Sequence, residues 1–376
     1  MRPEPERFKR LPEQYFAALL GRVAAAAIHG DDVVDLGRGN PDIPPPAHVA
    51  EALARAALSR EAATHGYAPF SGLPALKEAV AHRYRTAYGV ELDPGTEVAV
   101  VPGIKSALVE FALCVIEEGE AMLLPDPGYP DYLSAVALAG ARLESLPIEP
   151  RPDLGAAPPA AAVYLNYPSN PVARAAPEGV FSDAVRYAER TGAAVLHDFA
   201  YGDLVFDGRR PASFLAEPGA REVGVELFAM SKSYGMAGWR LGFVLGNAEL
   251  VGRLELLQGH LRAGIFAPLQ EAAIAALLGS QDTVEERRAI YEARRDRVVA
   301  AIPGAHSEGT FFVWAPLPEG LTAARLLEEQ RVAVAPGEGF GALGAGHVRL
   351  SLAVPDDRLD EGLARIAPLF QRGLAV

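Results

Sequence analysis

Cysteine is nearly absent from this sequence of 376 residues, in which Cys114 is the only one. A single cysteine cannot form an internal disulfide, which suits a reducing compartment, so we expect a cytoplasmic location. Cys114 lies in the apolar run 107–116, where a buried packing role is more typical than a nucleophilic one.

Long hydrophobic runs and an excess of basic residues are also missing. No apolar stretch approaches the ~20 residues of a membrane-spanning helix, and residues 1–19 are too charged and proline-rich for a signal peptide. Lys and Arg total 35 against 48 Asp and Glu, for a formal net charge of −13. This balance argues against nonspecific binding to nucleic acids or to anionic membrane surfaces.

Two nucleotide-binding motifs are absent as well. The phosphate loop Gly-x₄-Gly-Lys-Ser/Thr does not occur. Gly37 and Gly39 follow a short apolar segment, but Pro41 comes next where a dinucleotide fingerprint needs a third glycine and a helix start.

What the sequence does contain is an alternation of short apolar runs with helical patterns from about residue 97 onwards. This alternation predicts a mostly parallel sheet covered on both faces. The predicted strands are 98–101, 121–124, 162–166, 193–198, 225–230 and 243–246, and the predicted helices between them include 106–117, 130–139 and 177–191.

The length gives a prior of two domains. Thr283 and Glu286 have the spacing of a capping box, which predicts a long helix opening at Thr283. The pattern of the residues after that helix predicts a smaller α/β unit. We therefore expect a large domain over 46–280, a small domain over 281–376, and an N-terminal segment 1–45 that packs with the small domain.

The most informative stretch surrounds Lys232, which follows the predicted strand 225–230. Open α/β sheets place their chemistry at the carboxyl ends of strands, and a lysine amine there can form an imine with an aldehyde. The Ser231 hydroxyl and the Arg240 guanidinium can hold a phosphate. A solvated lysine at a strand end is the ordinary alternative.

Two further strand ends carry candidate groups. Gly103 separates a strand from a helix whose first backbone N–H groups suit a phosphate, although a plain strand–turn–helix has the same pattern. Asp198 ends an apolar strand, where burial raises the pKa of a carboxyl unless a cation keeps it ionised. A helix N-cap is the alternative role for Asp198.

Residues 229–243, Ala-Met-Ser-Lys-Ser-Tyr-Gly-Met-Ala-Gly-Trp-Arg-Leu-Gly-Phe, strongly resemble the cofactor-lysine segment of pyridoxal-phosphate aminotransferases of the aspartate aminotransferase fold. The resemblance runs from about residue 7 to near the C terminus. It implies a fold type I enzyme of the α/β class, with a large cofactor-binding domain and a smaller α/β domain. The chain looks closest to the subgroup of LL-diaminopimelate, ketomethylthiobutyrate (methionine-forming) and alanine transaminases.

The same resemblance assigns the cofactor contacts. It implies that Lys232 carries pyridoxal phosphate, that Asp198 pairs with the ring nitrogen, and that Tyr129 stacks on the ring. The remaining implied contacts are Asn170 and Tyr201 at the 3′ oxygen, and the Ile104 and Lys105 amides, Ser231 and Arg240 at the phosphate. Tyr67 resembles the tyrosine that reaches the phosphate of the neighbouring subunit, which implies a homodimer with shared active sites.

For the substrate, the resemblance implies that Arg349, in His347-Val-Arg-Leu-Ser351, binds the α-carboxylate together with Asn170 and the backbone of Gly39. Tyr15 and Phe266 are candidates for the side-chain pocket. Aspartate aminotransferases take a second arginine from the partner subunit, where this chain has Leu261 followed by Arg262. We therefore favour a substrate other than aspartate.

These assignments imply transfer of an amino group from an L-amino acid to a 2-oxo acid, with Lys232 moving the α-proton. A pyridoxal-phosphate lyase, racemase or decarboxylase would share every residue named, so those activities stay open. No metal site is expected.

Overall fold

Buried apolar strands form the centre of the fold in the computed structural model, which describes residues 2–27 and 32–372. The strands are β1 (Val34–Asp35), β2 (Val98–Val101), β3 (Ala121–Asp126), β4 (Arg142–Pro147), β5 (Ala162–Asn166), β6 (Ala194–Asp198), β7 (Gly224–Ala229), β8 (Gly242–Gly246), β9 (Phe312–Pro316), β10 (Val332–Ala333), β11 (Ala335–Pro336) and β12 (His347–Ser351).

The α-helices, which lie between and around these strands, account for most of the remaining regular structure. They are α1 (Glu6–Lys9), α2 (Tyr15–Ala27), α3 (Ala47–Ala57), α4 (Ala62–His65), α5 (Pro74–Tyr88), α6 (Ile104–Val115), α7 (Tyr132–Ala139), α8 (Val180–Thr191), α9 (Ala220–Val223), α10 (Met230–Ser233), α11 (Ala248–Leu261), α12 (Ala267–Leu278), α13 (Asp282–Ala301), α14 (Ala323–Gln330) and α15 (Asp356–Arg372).

Seven strands form one large sheet in the order β2-β8-β7-β6-β5-β3-β4. β8 runs antiparallel to both of its neighbours, and the other strands are parallel to one another. The carboxyl ends of β2, β3, β5, β6 and β7 therefore meet at one edge of the sheet, where the chain changes from strand to loop or helix.

Alternate residues of the six strands β2, β3, β5, β6, β7 and β8 pack into two different cores. In β2, Val98 and Val100 join the core beneath α3, α5, α8 and α12. Ala99 and Val101 join the core beneath α6, α7 and α11 on the opposite face. The sheet is thus covered on both faces, which confirms the predicted mostly parallel, doubly covered architecture.

A smaller unit is built from the two ends of the chain. β9, β11 and β12 form an antiparallel sheet, and β1 pairs in parallel with β10. Val34 and Leu36 share a hydrophobic core with C-terminal side chains such as Val313, Leu350 and Leu359. The division into an N-terminal segment 1–45, a large domain 46–280 and a small domain 281–376 stays a prediction.

Two local predictions were wrong. The edge strand β4 was not predicted, and α13 begins at Asp282 with Gln281 as its N-cap, one residue before the predicted start at Thr283. Within residues 2–27 and 32–372, we find no helix that combines the length and apolarity required to cross a membrane.

Candidate active site

A cavity of about 450 Å³ opens at the carboxyl edge of the large sheet, against the smaller unit. Eleven of the thirteen predicted site residues line it. They are Gly39, Ile104, Lys105, Tyr129, Asn170, Asp198, Tyr201, Ser231, Lys232, Arg240 and Arg349.

Lys232 reaches this cavity because β7 ends at Ala229 and the chain turns into the single-turn helix α10. Its ammonium lies 4.9 Å from the centre of the Phe311 ring and 5.7 Å from that of Tyr201. Burial, together with the positive charges of Arg349 and Arg240, lowers the pKa of Lys232 to about 8. A primary amine with this pKa is available as a nucleophile and as a base near neutral pH.

Asp198 faces the same cavity at the end of β6 and is 5% exposed. Burial raises the pKa of its carboxyl, as predicted, although the hydrogen bond from Tyr132 and the Ala200 amide oppose the rise. The Tyr132 hydroxyl donates to Oδ2 at 2.8 Å, and the Ala200 N–H donates to Oδ1 at 3.2 Å. A buried carboxylate of this kind favours a cationic partner in the cavity.

The start of α6 supplies a second feature, a cradle for an anion. Gly103, with φ of +81°, lies so close to Arg240 that a Cβ atom at this position would be 2.1 Å from the guanidinium Nη2. The first N–H groups of α6, beginning at Ile104, have no acceptor within the helix. Ser231, which is buried, lies on the same cavity wall. Amides, a hydroxyl and a guanidinium together fit a phosphate.

Arg349 is the most deeply buried cation on the cavity wall, with 1% of its surface exposed. Nη1 donates to Oδ1 of Asn170 at 2.8 Å, Nη2 donates to the Gly37 carbonyl at 3.0 Å, and the guanidinium lies 3.8 Å from the centre of the Phe312 ring. Burial lowers the pKa of Arg349 to about 10.

The Nε atom of Arg349 has no hydrogen-bond acceptor, and no carboxylate among the described residues pairs with the guanidinium. A buried guanidinium is costly without an anion. The arrangement therefore fits a carboxylate ligand that enters the cavity.

Aromatic rings close the cavity on two sides. Tyr129 follows β3 and stacks against Phe16 of α2, with ring centres 6.0 Å apart and planes at 30°. Tyr201 packs edge-on against Phe311 and Phe312, with ring centres 5.4 and 5.8 Å away. These faces suit a flat heteroaromatic ring between them.

The structure does not bring Tyr15 and Tyr67 to the cavity wall. The Tyr15 hydroxyl donates to the Pro336 carbonyl at 2.9 Å, and its neighbour Phe16 lines the cavity instead. Tyr67 is 89% exposed, as expected for a side chain that would act in a partner's site.

Phe266 and Arg262 also lie away from the described lining. Phe266 is largely exposed and packs against His65. Arg262 pairs with Glu110 at 3.3 Å, and Leu261 is exposed.

Sequence reasoning missed three functional neighbours, which are Phe16, Tyr132 and Phe312. Tyr132 follows Tyr129 by three residues at the start of α7, so the two side chains lie on the same side of the chain. This spacing could have identified Tyr132 from the sequence. Phe312 stands opposite Ser351 in the antiparallel pairing of β9 with β12, and the sequence does not reveal this register.

Comparisons with known proteins identify the family and the fold. Residues 31–366 match the family described as "Aminotransferase class I and II". The chain is 44% identical to L-glutamine--4-(methylsulfanyl)-2-oxobutanoate aminotransferase from Bacillus subtilis (strain 168), covering 96% of this chain and 95% of that protein. It is 39% identical to an LL-diaminopimelate aminotransferase from Dehalococcoides mccartyi, covering 96% and 97% of the two chains.

Among solved structures, substrate-bound BacF from Bacillus subtilis superposes with a TM-score of 0.92. The two chains are 38% identical, and the match covers 98% of each.

Proposed function

Since the chain belongs to the aminotransferase class I and II family, we propose that it transfers the amino group of an L-amino acid to a 2-oxo acid, with pyridoxal phosphate held by Lys232. Members of the family use this cofactor. When bound, pyridoxal phosphate supplies an aldehyde carbon that takes up the amino group and a ring that withdraws electrons from the substrate Cα.

The observation that carries the proposal is the convergence of Lys232, Asp198 and Arg349 on one cavity. A half-buried amine of lowered pKa, a buried carboxylate and a guanidinium that pairs with no described carboxylate are the groups needed to hold an amino acid beside a protonated pyridine. An α-carboxylate bound by Arg349 would hold the substrate in the same cavity that Lys232 lines.

Each side chain then has one task. Once the substrate amine had replaced it on the cofactor, Nζ of Lys232 would take up the proton from the substrate Cα as a base and give it back as an acid. Asp198 keeps a proton on the ring nitrogen, and Tyr132 keeps Asp198 oriented and ionised through its hydrogen bond. Asn170 and Tyr201 orient the 3′ oxygen of the ring.

At the other end of the cofactor, the α6 amides of Ile104 and Lys105 bind the phosphate together with Ser231 and Arg240. Tyr129 would stack on the ring. Gly39 would lie beside the substrate carboxylate, because a Cβ atom added at this glycine would be 3.5 Å from Nη2 of Arg349.

For the amino acid, we propose a substrate related to methionine, LL-diaminopimelate or alanine, in line with the substrates in the relatives' names. Phe16, Leu19 and Leu20 of α2 line the cavity with apolar surface, which favours a methionine-like side chain.

Single half-reactions test the function. The purified protein, loaded with pyridoxal phosphate, is mixed separately with L-methionine, L-alanine and LL-diaminopimelate without an acceptor. We expect the visible absorbance of the bound cofactor to disappear as one equivalent of 2-oxo acid forms, and to return when a 2-oxo acid is added. Lys232→Ala abolishes both signals, whereas Lys9→Ala, at an exposed surface pair, keeps them.

Formation of carbon dioxide, of an eliminated side chain or of the D-amino acid, without the 2-oxo acid, would instead identify a decarboxylase, lyase or racemase. That result would overturn the proposal.

We further propose a homodimer in which Tyr67 of each subunit completes the partner's site, and a cytoplasmic location. The exposure of Tyr67 and of nearby Phe70 supports the first. The presence of a single cysteine supports the second.

A further inference from the structure

Asn166 is the last residue of β5 and lies on the wall of the active-site cavity, where it is only 5% exposed. A buried amide is costly unless both its oxygen and its NH₂ group are hydrogen-bonded. The partners of the Asn166 side chain therefore show which parts of the site it holds in place.

The amide of Asn166 bridges the ends of two neighbouring segments. Nδ2 donates to the backbone carbonyl of Asp198 at 2.8 Å, and Oδ1 accepts from the backbone N–H of Asn170 at 2.7 Å. Asn166 stands opposite Asp198 in the parallel pairing of β5 with β6. Because the donor side of the amide faces a carbonyl and its acceptor side faces an N–H, only one orientation of the amide satisfies both bonds. Asn166 thus connects the strand end that carries the acid of the site to the turn that carries Asn170.

The connection continues from Asn170 to Arg349, which belongs to β12 of the smaller unit. Oδ1 of Asn170 accepts from Nη1 of Arg349 at 2.8 Å, while Nη2 donates to the Gly37 carbonyl at 3.0 Å. One side of the guanidinium is therefore oriented by a residue whose own backbone is held by Asn166. If Asn170 moved, Nη1 would lose its acceptor and the guanidinium could turn.

We propose that Asn166 is a positioning residue, which holds Asn170, and through it Arg349, in a fixed arrangement with Asp198. This inference rests on the proposed aminotransferase function, in which Asp198 faces the ring nitrogen and Arg349 binds the α-carboxylate. Asn166 acts without touching the substrate carboxylate. A guanidinium that is already oriented loses less freedom when a carboxylate binds, so Asn166 strengthens that binding.

Pentanoate is a suitable probe, because it has a carboxylate but no amino group that could react. Its affinity for the holoenzyme is measured by calorimetric titration in the wild type and in Asn166→Ala. We expect Asn166→Ala to weaken binding about tenfold, as for the loss of one hydrogen bond. Asn247→Ala is the matched control, because the Asn247 side chain makes four hydrogen bonds to backbone groups and lies outside this cavity lining. It should leave pentanoate affinity unchanged.

A double-mutant cycle shows whether Asn166 acts through Asn170. Pentanoate affinity is also measured in Asn170→Ala and in the variant that carries both substitutions. Once the Asn170 side chain is absent, Asn166→Ala should weaken binding by less than about twofold, because the path to Arg349 is already broken. Equal losses in both backgrounds would mean that Asn166 acts only on the general stability of the site, and would refute the proposal.

Asn166→Asp tests the other end of the connection and keeps the shape of the side chain, should Asn166→Ala not fold. It retains an acceptor for the Asn170 N–H but places an oxygen against the Asp198 carbonyl. We expect the half-reaction with saturating L-methionine to slow at least about tenfold.

Unchanged pentanoate affinity in Asn166→Ala, or an unchanged methionine rate in Asn166→Asp, would likewise refute the role of Asn166. Failure of the aminotransferase function itself looks different. The wild type would then give no 2-oxo acid from methionine, whereas the pentanoate cycle would still report on Asn166.

Discussion

At the scale of single residues, the proposed activity depends on Lys232, whose surroundings lower the pKa of its amine. Burial and the positive charges of Arg349 and Arg240 disfavour an ammonium ion at Lys232 and lower its pKa. The same arginines attract the phosphate and carboxylate groups that the reaction must hold. Anion binding and lysine activation therefore have a common electrostatic origin in this cavity.

A pH dependence follows from the lowered pKa of Lys232. The neutral amine of the cofactor-free protein, which is the nucleophile towards the cofactor aldehyde, forms as the pH rises through about 8. We expect the rate at which the cofactor-free protein takes up pyridoxal phosphate to rise roughly tenfold from pH 7 to pH 9 and then level off. A rate that stays flat or falls between pH 6.5 and 9.5 would show that deprotonation of Lys232 does not limit this uptake.

The sequence pattern alone points to Lys232, Asp198 and the turn at Gly103, because strand ends bring them to one edge of the sheet. Most of the other candidate site residues follow from the resemblance of their motifs to those of the family. Local sequence does not show how a helix is rotated about its axis, and the predicted position of Tyr15 depends on that rotation. Tyr15 and Phe16 are adjacent on α2, about 100° apart around its axis, and the structure turns Phe16 towards the cavity while Tyr15 bonds to Pro336.

At the scale of elements, the junction between β2 and α6 is shaped by Gly103. Its positive φ favours glycine, and the absence of a side chain lets the Arg240 guanidinium lie against the backbone. Gly103 therefore allows Arg240, which comes from another segment, to lie beside the first amides of α6.

Gly103→Ala should damage this junction more than the fold. The backbone at Gly103, with positive φ and ψ of 149°, costs alanine about 1–3 kcal/mol, and the new methyl group displaces the guanidinium of Arg240. We expect the dissociation constant for pyridoxal phosphate to rise about tenfold or more, measured by spectral titration. Gly252→Ala, on α11 with open space around it, is the matched control and should leave it unchanged.

A second junction connects β6, β7 and α5 through the buried carboxylate of Glu226. Its oxygens accept from the hydroxyls of Tyr84 and Ser213 at 2.8 Å, the Phe214 N–H at 2.7 Å and Nδ1 of His197 at 2.7 Å. His197 precedes Asp198 on β6, so this network fixes the strand that carries the acid of the site.

Glu226→Gln replaces one acceptor oxygen by an NH₂ group that faces other donors. Buried donors lose their acceptor, and we expect the free energy of unfolding in urea to fall by about 2–3 kcal/mol. Glu249→Gln changes the same functional group at an exposed position and should have little effect. Equal stability of the two variants would contradict the role given to the Glu226 network.

Element boundaries were predicted less well than element types. β4 has the sequence Arg-Leu-Glu-Ser-Leu-Pro and lies at the sheet edge with several exposed side chains, so it lacks the continuous apolar run of a central strand. α13 starts early because Gln281 donates to the carbonyls of Ala276 and Gly279, which fixes the turn before the helix. The capping-box pattern at Thr283 carries no information on such contacts.

At the scale of the whole molecule, the cavity forms where the large sheet meets the smaller unit. Asp198 and Lys232 come from the sheet, whereas Arg349 comes from β12 and Gly39 from the N-terminal segment. The doubly covered sheet could be predicted from its pattern of apolar runs. The meeting of Asn170 with Arg349, 179 positions apart, depends on packing that no local pattern contains.

Subunit mixing tests whether Tyr67 acts across a dimer. Lys232→Ala lacks the reactive amine and Tyr67→Phe lacks the phosphate contact, so each variant alone should have low activity. In a mixed dimer, the subunit with Lys232 receives Tyr67 from its partner, and co-refolding the two variants should raise activity above the sum of the separate preparations. Activity equal to that sum would mean that Tyr67 has no role in the partner's site.

The central prediction is a covalent bond between Lys232 and the cofactor. The bond can be located readily, because the only lysines in the sequence are Lys9, Lys77, Lys105 and Lys232. Borohydride reduction of the holoprotein, followed by proteolysis and mass spectrometry, identifies the amine that carries the cofactor. We predict one reduced pyridoxyl phosphate per chain, on Lys232. A label on another lysine, or none, would contradict the account.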